Sequence, residues 1–317
     1  MAMTIYDISK KAGVSIATVS RVLNGSENVR PSTRKKVMDV IDKYDYTPNA
    51  FARGMGLHSL KTIGILCADS SDLFLAKAVY FLEQELQANG YESLLCCTGY
   101  NPDIKKNYLN LILSKKVDSI ILVGSHFIGF NEDENQYIKD VSTQVPIMLL
   151  NASFDHPNVY STLCDDYGTM FEAATEMIQS GITDILYLYD SKSYSGLKKL
   201  HGFCDAMKEY NIPGFEKLIH FYDGNIEHLN EVADFVARIA TKGTSFHGIM
   251  TSDDSLAIGS IKYAQKKGIR IPEELSVMGY NNSMLTNCCT PELTSVDNRL
   301  ETQTHQLVQT LLGVLAG

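Results

Sequence analysis

Nowhere in the 317 residues does an apolar run approach the roughly 20 residues that a membrane-spanning helix needs, and the N-terminus has no apolar signal-peptide core. A cytosolic protein is expected. The seven cysteines, at 67, 96, 97, 164, 204, 288 and 289, form no C-x-x-C and no metal-ligand spacing, so reduced structural thiols are expected. On this reading the adjacent pairs Cys96–Cys97 and Cys288–Cys289 are packing residues and not redox couples. The eight histidines are dispersed without ligand spacing, and no metal or cofactor is expected. G-x-G-x-x-G, P-loop and G-x-S-x-G patterns are absent, as is any periodic repeat. An S-x-x-K at Ser195–Lys198, with Ser252-Asp253-Asp254 loosely like S-D-N, leaves a serine hydrolase as a remote alternative, but no K-T-G follows.

What is present is divided unevenly. Residues 1–61 carry ten Lys/Arg against five Asp/Glu, a formal +5. The remaining 256 carry eighteen against thirty-two, a formal −14, and the whole chain is at −9. A basic head on an acidic body suits phosphate contact by the head alone.

Within that head, Thr4 to Asn24 reads TIYDISKKAGVSIATVSRVLN. Ile5, Ile8 and Ala12 recur at helical spacing, and so do Val19, Val22 and Leu23. Thr4 with Asp7, and Ser15 with Thr18, are cap signals. Gly13 can supply the positive φ that a sharp turn between helices needs, and Val14 can pin the turn to the core. These features predict a helix-turn-helix whose second helix can lie in a DNA major groove. Arg30-Pro31-Ser32 opens a third helix with proline in its first turn, buried through Val37, Val40, Ile41 and Tyr44.

The same residues resemble the start of LacI-family transcription regulators, T-I-x-D-V-A-x-x-A-G-V-S-x-x-T-V-S-R-V-L-N, with Ile8 for Val and Ser9 for Ala. The resemblance implies that Ser15, Ile16, Ala17, Thr18, Ser20 and Arg21 face DNA. Arg21 is the foremost base reader, since arginine can grip guanine bidentately. Ile16 and Ala17 take the family's two main specificity positions; being apolar, they can meet a thymine methyl but donate no hydrogen bond. Thr4, Tyr6, Asn24, Asn28, Tyr46 and Asn49 are expected to position phosphates. The segment from Tyr46 resembles the family hinge Y-x-P-N-A-x-A-R-x-L, with Asn49, Ala52 and Arg53 in place and Met55 for the leucine that wedges between base steps in the minor groove.

From Lys61 the pattern alternates strands (TIGILCA, ESLLCCT, VDSIILVGS, VPIMLLN, then DILYLYD, LIHFY, HGIMTS, LSVMGY) with amphipathic helices. Two βα series in succession predict two parallel α/β subdomains with ligand beyond the strand carboxyl ends, in the cleft between them. The expected fold is thus a small all-α head followed by two doubly wound α/β subdomains. Boundaries are expected at 1–46 for the head, 47–60 for the hinge and 61–317 for the core. Within the core, residues 61–160 and 291–317 would form one subdomain and 161–290 the other. IGILCADSSDLF, DDYGT, SDDSLAIG, IPEELSVMGYNN and TPELTSV resemble the periplasmic-binding-protein-like core of the same family. Members usually continue past the last helix to a terminal strand bearing an arginine, where this sequence ends LLGVLAG.

The resemblance implies effector contacts at Asp69, Ser71, Phe74, Ser125, Asp165, Lys199, Asp253 and Asn281. Three depart from the family pattern: Lys199 stands for arginine, Asp253 for asparagine and Asn281 for aspartate. The implied protein is a homodimeric regulator, a repressor, of a pseudo-palindromic double-stranded DNA operator. A sugar, nucleoside or other small polar effector would control it, with no membrane partner. Control by a protein partner, or the absence of any effector, stands as the alternative.

Overall fold

The computed structural model describes residues 3–23, 26, 28–46, 59–241 and 243–317. Asn24, Asn49, Ala52, Arg53 and Met55, and with them most of the expected hinge, lie outside the described residues.

The head is three helices, α1 (Ile5–Ala12), α2 (Ile16–Leu23) and α3 (Pro31–Lys43). Thr4 and Asp7 form the capping box: the Thr4 N–H donates to Asp7 Oδ2 at 2.9 Å, and the Asp7 N–H reaches Thr4 Oγ1 at 3.4 Å. Gly13 ends α1 at φ 65°, in the left-handed region. Ser15 caps α2, accepting from the Thr18 N–H at 3.2 Å. Ile8, Ala12, Val19, Val22, Val29, Val37 and Ile41 close a small core. One expected member is displaced. Tyr44 is exposed, with the Lys11 amine 4.3 Å from its ring centroid, and Tyr46 occupies the core in its place. α3 stops at Lys43 and Asp45 reverses the chain at φ 46°, which carries the second tyrosine inward.

The core begins at a carboxylate. Asp118 accepts from Ser59 Oγ (3.0 Å) and from the N–H groups of Leu60 (3.2 Å) and Thr62 (2.9 Å), fixing the chain as it enters β1 (Thr62–Cys67). The first sheet adds β2 (Glu92–Cys97), β3 (Ser119–Val123), β4 (Ile147–Leu150) and β5 (Val159–Thr162), in the order β2-β1-β3-β4-β5, all parallel. Alternate residues of these strands face opposite layers. Ile63 and Ile65 pack on α4 (Leu73–Ala88) through Leu75, Leu82 and Leu86. Leu66, Ile120 and Leu122 pack on α5 (Pro102–Ser114) and the short α6 (Gln136–Ser142).

The second sheet contains β6 (Ile185–Tyr189), β7 (Ile219–Phe221), β8 (Gly248–Thr251), β9 (Ser276–Tyr280) and β10 (Thr294–Val296), in the order β10-β9-β8-β6-β7, again parallel. α7 (Asp166–Gln179) and α8 (Tyr194–Glu209) cover one face, α9 (Leu229–Thr241) and α10 (Asp254–Lys267) the other. The last helix, α11 (Leu300–Ala316), returns to the first sheet, where Leu307, Val308 and Leu311 join the Ile63–Leu82 cluster. The return expected at residue 291 therefore falls later, because Thr294–Val296 pairs with β9 before the chain crosses back at 297–299. Among the described residues no helix is long and apolar enough to cross a membrane.

Candidate functional site

Two sites emerge, one on the head and one between the sheets. On α2 the buried Val19 and Val22 leave Ser15, Ile16, Ala17 and Arg21 exposed, and Ser20 and Thr18 partly so. Tyr6 and Asn28 are also exposed. The α2 carboxyl end is held by Arg34, which donates to the carbonyls of Ser26 (2.5 Å) and Val22 (3.5 Å). This basic residue therefore ties Val22 and Ser26 to α3, a role that the sequence pattern did not single out. Thr4 is exposed but already engaged with Asp7 through Oγ1 at 2.6 Å, a bond that holds the Asp7 carboxyl below its ordinary pKa. Tyr46 is a core residue first, 8% exposed.

The second site lies where the carboxyl ends of β1, β3 and β4 face those of β6, β8 and β9. It has an inner chamber of about 90 Å³ bordered by Ser125, Asn151, Asp190, Ser193 and Lys199. An outer chamber of about 640 Å³ is bordered by Asp69, Ser71, Tyr100, Asn225 and Glu227. Asp72, His126, Asp190 and Asp253 line both. A further cavity of about 650 Å³ runs from Phe74, Asp253 and Asn281 out along α4.

Strand and helix ends set these groups in place. Asp72 caps α4, accepting from the Leu75 N–H at 2.8 Å. Ser193 caps α8 and accepts from Ser125 Oγ at 2.8 Å, a direct bond between the two subdomains. Asp253 caps α10 through Ser255 (2.7 Å), and its other oxygen accepts from Asn281 Nδ2 at 2.8 Å. Asn298 Nδ2 donates in turn to Asn281 Oδ1 at 3.1 Å, and Gln303 of α11 donates to the Asn298 carbonyl. An unbroken chain of polar contacts thus runs from the cleft through the crossover to the first subdomain.

The cleft is acidic and electrostatically unsettled. Burial, then the charge of Asp190, pushes the Asp253 carboxyl up to about 7. Burial also raises Asp72, against the bond from Leu75, with Asp190 adding to the rise. His126 is lowered by burial and then by Lys105. Lys199, 7% exposed, gives its amine to the Ser252 carbonyl (3.1 Å) and rests it 3.8 Å from the Tyr280 ring centroid.

Of the eight expected effector residues, seven line these cavities. Asp165 does not. It is exposed at the start of α7, where it accepts from the Gly168 N–H at 2.9 Å; its neighbour Asp166 is the buried one, accepting from Tyr280 at 2.7 Å. Asp72, Asp190, Asn151, Ser193 and Tyr100 were missed. Each lies within a few residues past a strand end, the one local signal that could have found them. The hydrolase alternative does not assemble: Ser195 is buried in the cleft wall, whereas Lys198 is exposed with its amine over Tyr194.

Two family models and several known proteins match the chain. Residues 4–49 match the model for bacterial regulatory proteins of the lacI family. Residues 60–314 match that for periplasmic binding proteins and the sugar binding domain of the LacI family. The chain is 50% identical to an HTH-type transcriptional regulator of Lachnoclostridium phytofermentans, covering 99% of this chain and 94% of that one. It is 33% identical to catabolite control protein A of Priestia megaterium, over 93% and 87%. The lac repressor dimer bound to operator and the anti-inducer ONPF has the same fold, with a TM-score of 0.87 at 20% identity over 100% and 94% of the chains.

Proposed function

This chain belongs to the LacI family of bacterial regulatory proteins, DNA-binding transcription regulators and not enzymes, and we propose that it is a cytoplasmic repressor. In this reading it binds a pseudo-palindromic operator as a homodimer, under the control of a small polar effector, a sugar or nucleoside, held in the cleft. The observation that carries the reading is the exposed face of α2, with Ile16, Ala17 and Arg21 outward on a helix braced by Arg34. Two such helices related by a two-fold axis suit two half-sites. The dimer is supported by the lac repressor, whose solved structure is a dimer on its operator.

The effector acts through closure. A ligand that binds one arrangement of the subdomains better shifts the population towards it. Asp253 and Asn281 connect the cleft to the crossover through Asn298 and Gln303, and Ser125–Ser193 joins the opposite wall. Movement there alters where Ser59 and Leu60, tied to Asp118, present the chain that leads to the head.

Selection of duplexes from a random pool tests the DNA reading. The chain is expected to enrich a pseudo-palindrome, with affinity falling steeply as salt rises. Arg21→Ala is expected to lose roughly tenfold to a hundredfold, concentrated at one base position, as removal of a bidentate guanine contact of about 1–3 kcal/mol requires. Unchanged affinity and sequence preference in Arg21→Ala would refute it.

A further inference from the structure

Five carboxylates stand in the cleft walls. Asp72, Asp190 and Asp253 border both chambers, and Asp69 and Glu227 border the outer one. Each of the first three has one carboxylate oxygen engaged by the protein: Leu75 N–H to Asp72, Ser252 Oγ to Asp190 at 2.8 Å, and Ser255 N–H to Asp253. Asp253 spends its second oxygen on Asn281.

The cations that face this cluster do not neutralise it. The Lys199 amine is turned to the Ser252 carbonyl and the Tyr280 ring, where its charge acts on Asp254, a carboxylate already bonded to Ser283 and Ser295. Lys105 donates to the His126 carbonyl at 2.5 Å, and burial holds the His126 ring towards its neutral form.

A second observation is independent of the carboxylates. Asn151, at the end of β4 and 7% exposed, borders the inner chamber, and its buried Oδ1 has no hydrogen-bond partner. A buried amide oxygen left without a donor costs free energy that a ligand donor would recover. Around it the inner space of about 90 Å³ is small and polar, while Phe74 and Tyr100 give aromatic surface to the larger cavities.

From these features we infer that the effector is a small polyhydroxylated molecule bearing a primary ammonium group, of the amino-sugar class. The ammonium sits between Asp72, Asp190 and Asp253, a further donor meets Asn151, and the ring lies in the outer chamber beside Tyr100. The inference rests on the effector reading above and narrows it: a neutral sugar would leave the carboxylates facing one another, and a sugar phosphate would add to their repulsion.

The test is calorimetric titration of the full chain, at pH 7.5 and low salt, with glucosamine, galactosamine and mannosamine. Each is paired with its N-acetyl form, its neutral parent sugar and the parent 6-phosphate. At least one free amine is expected to bind tenfold or more tightly than its N-acetyl and neutral partners. Asp190→Asn, which keeps the acceptor for Ser252, is expected to erase that preference while its melting curve stays cooperative. Equal or tighter binding of a neutral or phosphorylated sugar, lost in Asn281→Ala, would overturn the ammonium inference and leave the effector cleft standing. No binding by any member of the panel, from a protein that still selects its operator, would overturn the amino-sugar inference while leaving the DNA reading standing.

Discussion

Asp253→Asn is predicted to reverse its effect on stability with pH. The Asp253 carboxyl titrates near 7 in the folded chain against an ordinary value of 3.8, so the native state binds its proton more tightly than the unfolded state does. Stability on this account falls as pH rises from about 4 to about 7, and the ionised form carries the full cost above that window. Three units correspond to an upper bound of roughly 4 kcal/mol, at about 1.36 kcal/mol each. The amide removes the charge but not without loss. Asp253 accepts at both oxygens, from Ser255 N–H and Asn281 Nδ2, and Asn281 cannot flip because Asn298 Nδ2 already fills its oxygen. One of those bonds becomes a donor facing a donor, at a cost of roughly 1–3 kcal/mol. At pH 8.5 the variant should therefore be more stable by roughly 1–3 kcal/mol, and at pH 5, where the aspartate is already neutral, less stable by a similar amount. Melting curves followed by circular dichroism should show Tm rising by a few degrees at the higher pH and falling at the lower. A shift of the same sign at both pH values would refute the electrostatic account of Asp253.

Gly202→Ala should lower Tm whatever the pH, because a Cβ there would lie 2.3 Å from the Tyr167 carbonyl oxygen and 3.1 Å from the Phe171 nitrogen, backbone atoms that only a separation of α7 and α8 can relieve. Such overpacking costs roughly 1–3 kcal/mol or more, and an unchanged melting curve would mean that the two helices are not held so closely. Arg34→Met should destabilise the head by about 1–2 kcal/mol through loss of its bonds to Ser26 and Val22, as seen in faster amide exchange across α2. The selected DNA sequence should stay the same while affinity drops; a change of sequence preference would instead make Arg34 a base reader.

How much was legible in the chain differs between the two sites for a physical reason. The head is built from contacts a few residues apart, so its caps at Thr4 and Ser15, its left-handed turn at Gly13 and its stripe of Ile8, Ala12, Val19 and Val22 could be read directly. The exchange of Tyr44 for Tyr46 could not, since it depends on Asp45 taking a positive φ that no periodic pattern announces. The longer strands and helices of the core were equally plain, but β5 and β10 are short, half-exposed edge strands that owe their existence to the neighbours they pair with.

Burial periodicity and capping chemistry are local, and the sequence alone determined through them a helix-turn-helix head, two doubly wound sheets and a ligand cleft between them. The family resemblance pointed to seven of the residues that border that cleft. Tertiary structure alone decided the electrostatics of the cleft. Asp72, Asp190 and Asp253 are scattered over some 180 positions and meet only because three strand ends converge, and Asp165 and Asp166, adjacent in the chain, point to solvent and to core respectively. A pKa depends on what faces a group and how much water is left around it, and neither is written in the order of the residues.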